Sequence, residues 1–288
     1  MRARPFARLA AGRHSDGMTD VAAKRAQFRA LHAQGCFVLP NPWDIGSARL
    51  LQHLGFAALA STSSGFAWTV GRADYAVTRD DVLAHLALLC AASDLPVNAD
   101  FQGGFADAPE GVAANVALAI NTGIAGVSIE DSVLDGASLY EKDFAVARIR
   151  AARAAIDRSG EDVILVARTE GLLGHDMTVS AAIDRLVAFA QAGADCLYAP
   201  GVRGKEDIAA MVRAVAPKPV NMLMMGPGLS VAELADLGVR RISVGGALAR
   251  VALGAMLKVA EEIKQGSFDG LAGAAPGKIL NGIFAEFD

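Results

Sequence analysis

Acidic and polar side chains follow short apolar runs at several places along this chain. One such run, PVNADFQGG (96–104), carries Asp100 near its end and then breaks at two glycines. A buried, ionised carboxylate is costly unless it is paired, hydrogen-bonded or bound to a metal ion. Asp100 therefore has a partner or belongs to a functional site.

The same pattern recurs at the ends of seven apolar runs. In chain order these ends offer Asp44, Ser63, Ser64, Gly65, Asp100, Glu130, Asp131, Arg168, Asn221 and the pair Gly245–Gly246. Carboxylates from different strands would repel one another in a dry pocket, and a divalent cation removes that repulsion. Oxygen ligands without His or Cys suit Mg²⁺, with Mn²⁺ as the alternative. The pattern therefore predicts a metal site.

Arg168 is the permanent cation of this set, and it suits bidentate pairing with a substrate carboxylate or phosphonate. The stretch Ser63–Gly65 offers backbone N–H groups and hydroxyls to an oxyanion, and Asn221 offers an amide for substrate binding. The structural alternative is that Arg168 only forms an ion pair with Glu130 or Glu170.

Eight short apolar runs alternate with longer amphipathic runs. The eight candidate strands lie at 37–42, 57–62, 97–101, 126–131, 163–169, 196–201, 220–224 and 241–246. Between them, as in 78–93 and 179–194, apolar residues recur at the three- and four-residue spacing of a helix packed on a sheet. The nearly continuous apolar strands favour a parallel sheet covered by helices.

Eight strand–helix units predict an α/β fold, a (β/α)8 TIM barrel, in which chemistry occurs at the carboxyl ends of the strands. A doubly wound sheet is the rival, but it favours a G-x-G-x-x-G turn where this chain reads NPWDIGSA (41–48). We expect an N-terminal arm over 1–19 and one barrel domain over 20–288. A helix over 20–34 leads it, and a helical tail, whose apolar face needs a covering surface, ends it.

Charge and cysteine content narrow the class of protein. The 288-residue chain has a net charge of −4 and a pI of about 5.8, so electrostatics favour neither nucleic acid nor an anionic membrane as partner. No apolar run reaches the roughly 20 residues of a membrane span. The three cysteines show no C-x-x-C spacing, which is typical of a reduced, cytoplasmic protein.

Taken in order, the strand ends resemble the isocitrate lyase/phosphoenolpyruvate mutase superfamily, especially its short members of the phosphonomutase, oxaloacetate decarboxylase and 2-methylisocitrate lyase type. The resemblance runs from about Phe28 to Leu257. It rests on N-P-W-D (41–44), T-S-S-G (62–65), a G-R-A-D that ends in Asp74, A-D-F-Q-G-G (99–104), S-I-E-D (128–131), V-A-R-T-E (166–170), A-G-A-D (192–195) and P-V-N (219–221).

The resemblance implies a Mg²⁺-dependent lyase or mutase that acts on a small 2-oxo acid or a phosphonate. The reaction would break or form a C–C or P–C bond through a pyruvate-like enolate. Carried over onto this chain, the metal ion would be held by Asp100 and Glu130.

The resemblance also implies roles for the remaining residues. Asp74, Arg168 and Asp44 would be catalytic. Asp44, Ser63–Gly65 and Arg168 would contact the substrate. The resemblance further implies a homo-oligomer, a dimer or tetramer, in which the C-terminal helix is swapped between subunits.

Two departures from the superfamily pattern keep alternatives open. Asn98 stands where many members carry a second aspartate, and the stretch 130–149 lacks the cysteine loop of isocitrate-cleaving lyases. The alternatives are a non-catalytic barrel that serves in binding or assembly, and a metal-dependent oxo-acid aldolase. We also expect His85 at the surface or on a face of its helix, and His175 is an acid/base candidate within reach of the strand ends.

Overall fold

Each predicted apolar run contains one strand of a single parallel sheet in the computed structural model, which describes residues 17–287. The strands are β1 (Phe37–Leu39), β2 (Leu59–Ala60), β3 (Val97–Asp100), β4 (Gly126–Glu130), β5 (Ile164–Arg168), β6 (Cys196–Tyr198), β7 (Val220–Leu223) and β8 (Arg241–Ser243).

The sheet returns on itself. Its strand order is β1-β8-β7-β6-β5-β4-β3-β2, and Phe37 at the start of β1 lies opposite Arg241 of β8. Across the remaining seam between β2 and β1, the Ala60 backbone N–H donates to the Pro40 carbonyl at 3.1 Å. The predicted (β/α)8 barrel is therefore confirmed, and the doubly wound rival is excluded.

Helices follow the strands and cover the outside of the barrel. They are α1 (Gly17–Ala33), α2 (Ile45–His53), α3 (Ser63–Thr69), α4 (Arg79–Ala92), α5 (Pro109–Ile120), α6 (Lys142–Ser159), α7 (Val179–Gln191), α8 (Lys205–Val215), α9 (Val231–Asp236), α10 (Ala247–Lys264) and α11 (Gly277–Phe284). Helix α4 starts with the capping box that Thr78 and Asp81 predict. None of the helices within 17–287 is long and apolar enough to cross a membrane.

The leading helix α1 closes the amino-terminal end of the barrel. Phe28 is fully buried there with residues from β4, β5 and β8 around it. The helix begins at Gly17, three residues before the expected 20–34, and the rest of the expected arm, residues 1–16, lies outside the described residues. With one end closed, the carboxyl ends of the strands form the open end.

The tail after β8 consists of the long helix α10, a 3₁₀ turn (Asp269–Gly273), α11 and a last 3₁₀ turn (Ala285–Phe287). Helix α11 packs against α2 of the same chain. Two contacts at the end of the tail support this packing: His53 Nδ1 lies 3.0 Å from a Glu286 oxygen, and the Arg49 guanidinium lies 5.2 Å from the Phe287 ring centre. The predicted swap of the C-terminal helix between subunits stays a prediction.

Candidate active site

A cavity of about 330 Å³ opens at the carboxyl ends of the strands. Its lining brings together several of the predicted site residues: Ser63, Ser64, Asp74, Asp100, Glu130 and Arg168. His175, expected within reach of the strand ends, also lines the cavity. We call this cavity the acidic pocket, because four carboxylates, those of Asp74, Asp100, Glu130 and Glu170, face it.

The end of β2 orients Asp100, the last residue of β3. The Asp100 backbone N–H donates to Ser61 Oγ at 2.8 Å, and the Ser63 backbone N–H donates to Asp100 Oδ2 at 2.8 Å. The carboxylate stays partly open to the pocket. Asp100 is therefore held by neutral donors and keeps its other oxygen, Oδ1, for a cationic partner.

Glu130, the last residue of β4, is the most deeply buried of these carboxylates, with 3% of its side chain exposed. The Tyr75 hydroxyl donates to Glu130 Oε1 at 3.0 Å. Burial raises the pKa of Glu130 to about 8; the nearby Arg168 opposes this rise, whereas Glu170 and Asp100 add to it. A second cation beside Glu130 would favour its charged form.

Arg168, the last residue of β5, joins the carboxylates. Its guanidinium contacts Glu170, lies 3.3 Å from Glu130 Oε2 and 3.7 Å from Asp100 Oδ1, and sits 5.0 Å from the Tyr198 ring centre. Burial alone would lower the pKa of Arg168, but Glu170 and Glu130 raise it well above its usual value. The ion pairs of Arg168 with Glu130 and Glu170, considered above as the structural alternative, are thus present, and all three residues line the acidic pocket.

Asp74 reaches the pocket from the loop between α3 and α4. Protein atoms packed around its carboxyl, and next the charge of Asp100, raise the pKa of Asp74, although the side chain remains exposed. The next residue, Tyr75, has a φ of 62°, a left-handed conformation that is strained for a large side chain. Its ring lies where a side chain at Gly136 would stand, with 3.0 Å between ring atoms and that Cβ position.

Three of the predicted substrate-contacting residues lie outside the lining of the acidic pocket, as does Asp131, whose carboxylate pairs with Arg185 at 3.0 Å. Gly65 is buried, and its N–H donates to Thr62 Oγ1 at 3.3 Å within the first turn of α3. Asp44 caps α2, since its Oδ1 accepts from the Ser47 N–H at 2.6 Å. The third residue is Asn221. The predicted substrate roles of these three residues stay predictions.

Asn221 belongs to a polar network inside the barrel, together with Asn98. Its Oδ1 accepts from Arg241 Nε at 2.9 Å, and its amide donates to Ser243 Oγ at 3.0 Å. Asn98 Oδ1 lies 3.3 Å from the same guanidinium, and so does His32 Nε2. The lining of the acidic pocket does not include Asn98.

Sequence reasoning missed Tyr75 and Tyr198 as pocket residues, and it treated Glu170 only as an ion-pair partner. Tyr198 is the last residue of β6. The rule that site residues lie at the carboxyl ends of barrel strands, which we call the strand-end rule, could therefore have included it. Tyr75 directly follows Asp74, but its hydrogen bond to Glu130 depends on the path of the loop, which no local pattern gives.

The donor set of the pocket fits a hard divalent cation. Within 17–287, no three acidic, His or Cys side chains already stand at the mutual distances of a metal site. Mg²⁺ does not require such a cluster, because it keeps several waters and is often bound through one or two carboxylates. Asp100 and Glu130 come from neighbouring strands, β3 and β4, and both approach the same guanidinium. They are therefore suitable ligands.

Comparison with known proteins identifies where this barrel belongs. The model of the phosphoenolpyruvate phosphomutase family matches residues 28–264. A candidate lyase/mutase from Burkholderia cenocepacia J2315 has a solved structure with a TM-score of 0.89 and 47% identity, covering 92% of this chain and 98% of its own.

Two further relatives carry named activities. An oxaloacetate decarboxylase of Paraburkholderia xenovorans (strain LB400) is 31% identical over 256 residues, which are 85% of this chain and 83% of that protein. The structure of 2,3-dimethylmalate lyase, a member of the PEP mutase/isocitrate lyase superfamily, has a TM-score of 0.80 and 30% identity over 93% of this chain and 95% of its own.

Proposed function

Because the chain belongs to the phosphoenolpyruvate mutase family of the PEP mutase/isocitrate lyase superfamily, whose members are lyases and mutases, we propose that it is a Mg²⁺-dependent enzyme of this kind. Its substrate would be a small 2-oxo acid or a phosphonate. The reaction would make or break a C–C or P–C bond next to the oxo acid, through a pyruvate-like enolate.

One observation supports the proposal above the others: the charge balance of the acidic pocket. Four carboxylates line it, whereas Arg168 is the one permanent cation among its described lining residues. With these four carboxyl groups ionised, the pocket would repel an anionic substrate. A divalent cation corrects the balance, and members of the superfamily typically depend on one.

We assign roles in the proposed reaction to four residues of the acidic pocket. Asp100 and Glu130 would hold the metal ion, which supplies a Lewis acid for the negative charge that develops on the substrate oxygen. Arg168, fixed by Glu130 and Glu170, would bind the anionic end of the substrate. Asp74 would move a proton at the reacting carbon, a role that suits a carboxyl whose pKa is raised.

The proposal is tested by thermal unfolding with Mg²⁺, with oxalate and with both. Oxalate is a planar mimic of the pyruvate enolate, so we expect it to raise the Tm only when Mg²⁺ is present. Asp100→Ala should abolish this joint effect. Asp80→Ala, which removes a carboxylate that is 76% exposed on α4, is the matched control and should retain it.

A protein whose Tm responds to neither Mg²⁺ nor oxalate at millimolar concentration would refute the enolate site and leave the non-catalytic barrel as the better reading. A joint effect that survives Asp100→Ala would refute the assigned metal ligand. With the site established, a screen of oxo acids and phosphonates would separate decarboxylation, C–C cleavage and P–C cleavage by their products.

We propose in addition that the protein is a homo-oligomer that uses α10. On this helix Val251 is 70% exposed and Leu257 65%, and the intervening Leu253 and Met256 are exposed as well. We propose that a second copy of the chain covers this apolar face of α10, because in a symmetric dimer the same face of each subunit meets its counterpart. Light scattering should show that the wild type is a dimer or tetramer. The double variant Val251→Glu/Leu257→Glu should dissociate it, whereas the control Leu88→Glu, on the exposed face of α4, should leave it intact. A monomeric wild type would refute the interface.

A further inference from the structure

A second cavity, of about 400 Å³, lies beside the acidic pocket over the carboxyl ends of β6 and β7. We call it the apolar chamber, because nine of its fourteen lining residues are aliphatic or thioether; three glycines, Pro227 and Arg203 make up the rest. Its walls include Val202, Ile208, Met222, Met224, Leu229 and Leu234. Arg203, the one charged lining residue among those described, is exposed at the surface.

The apolar chamber and the acidic pocket share one wall. Leu173, Leu223 and Met225 line both cavities. Met225 is 46% exposed, and Leu173 and Leu223 are only partly buried. Methionine is unbranched and adapts its shape to its neighbours, so this wall can yield to a ligand that occupies both sides.

Glycines keep the region open. Gly245 has a φ of 52°, and a Cβ at this position would lie 3.2 Å from Leu223 Cδ1. A Cβ at Gly228 would lie 2.8 Å from the terminal methyl of Met224. Larger residues at these positions would therefore push chamber side chains out of place.

The open end of the barrel thus has two chemically different halves. Polar groups from β2 to β5 surround the acidic pocket, whereas the loop that follows β7, residues 224–229, contributes methionine, proline, glycine and leucine to the chamber. A pyruvate-sized acid reaches only the polar half and leaves the apolar wall in contact with water. Ligand sites commonly combine an apolar wall with a few polar groups that fix orientation.

We propose that the natural substrate carries an apolar substituent, an alkyl or aryl group larger than methyl, which lies in the chamber while the oxo-acid head lies in the acidic pocket. This inference rests on the proposed function and specifies its substrate class. The chamber residues contribute specificity and take no part in the bond-breaking step.

The test is calorimetric titration, in the presence of Mg²⁺, of oxalate and of a homologous series: pyruvate, 2-oxobutanoate, 2-oxopentanoate and 2-oxohexanoate. Burial of each added methylene should lower Kd by up to about fourfold. Oxalate, which has no side chain, measures the acidic pocket alone.

Leu229→Trp should fill part of the chamber without contacting the acidic pocket, whose lining does not include Leu229. In this variant, we expect the Kd of the oxo acids no longer to fall as their alkyl chain lengthens. The Kd values of oxalate and pyruvate should stay unchanged. Leu118→Trp, on the exposed face of α5, is the matched control and should retain the gain.

Each outcome decides between the two proposals. A Kd that stays constant or rises along the series, while oxalate binds, overturns the chamber inference and leaves the proposed function standing. Failure of oxalate itself to bind overturns the proposed function, and the chamber inference with it. The wild-type series decides the matter even where the Leu229→Trp protein does not fold.

Discussion

Replacement of His85 by phenylalanine should make this protein less sensitive to acid. His85 lies on α4, 7% exposed, and its ring stacks on Phe66 with 4.0 Å between ring centres. Its Nε2 is buried without a hydrogen-bond partner among the described residues. Burial lowers the pKa of His85 from 6.5 to about 4, although Asp44 opposes the shift.

The sign of the pH effect follows from proton counts. Because the folded-state pKa of His85 is lowered, the unfolded chain binds more protons than the folded protein between pH 6.5 and 4. Stability is therefore fully present above the unfolded pKa and is lost as the pH falls towards the folded pKa. For pKa values of 6.5 and about 4, the loss between pH 7 and pH 5 is about 2 kcal/mol.

The measurement is urea unfolding of the wild type and His85→Phe at pH 7 and pH 5, followed by tryptophan fluorescence. The variant keeps the aromatic stack and removes the unpaired nitrogen, so we expect equal or greater stability at pH 7 and an advantage that grows by about 2 kcal/mol at pH 5. His32, whose pKa burial lowers to about 3, titrates equally in both proteins. A difference in unfolding free energy that does not change with pH would refute the reasoning.

Two further predictions concern the acidic pocket and its support. Tyr75→Phe removes the hydroxyl that donates to Glu130 and should lower the unfolding free energy by about 1–3 kcal/mol in urea titrations without metal; no change would show that the contact contributes nothing. Arg148→Met should cost about 3 kcal/mol or more and weaken Mg²⁺-dependent oxalate binding, because the buried Arg148 donates to the carbonyls of Gly103, Ala106, Asp107 and Glu130. Oxalate binding of wild-type strength in a folded Arg148→Met protein would contradict that positioning role.

The barrel could be predicted from sequence because its signals are local. Each strand is a short apolar run between amphipathic segments, and the parallel sheet buries both faces of it. The strand-end rule likewise identified Asp100, Glu130 and Arg168 as neighbours, since carboxyl ends of parallel strands meet at one end of a barrel.

The strand-end rule did not show in which direction each side chain points. Asn221 belongs to the polar network inside the barrel, where Arg241 lies opposite it in the register of β7 and β8. Asp44 caps α2, which the spacing of Asp44 and Ser47 indicates on its own. A short polar residue at the end of a strand can serve the following helix as well as the site.

His85 was expected at the surface or on a face of its helix; it lies on the buried face, so the surface alternative is wrong. The spacing already contained this answer, because Val82, Leu86 and Leu89 form the buried stripe of α4 and His85 falls within it. Its partner Phe66 lies on the preceding helix α3, and no local sequence pattern places that ring against His85.

Tyr75 ties two surface loops to one carboxylate. Its ring packs on Gly136 of the loop after β4, while its hydroxyl is bonded to Glu130 at the floor of the pocket. A molecule that displaced this side chain would break both contacts at once. The loop before α4 and the loop after β4 are therefore coupled to Glu130 through the side chain of one residue.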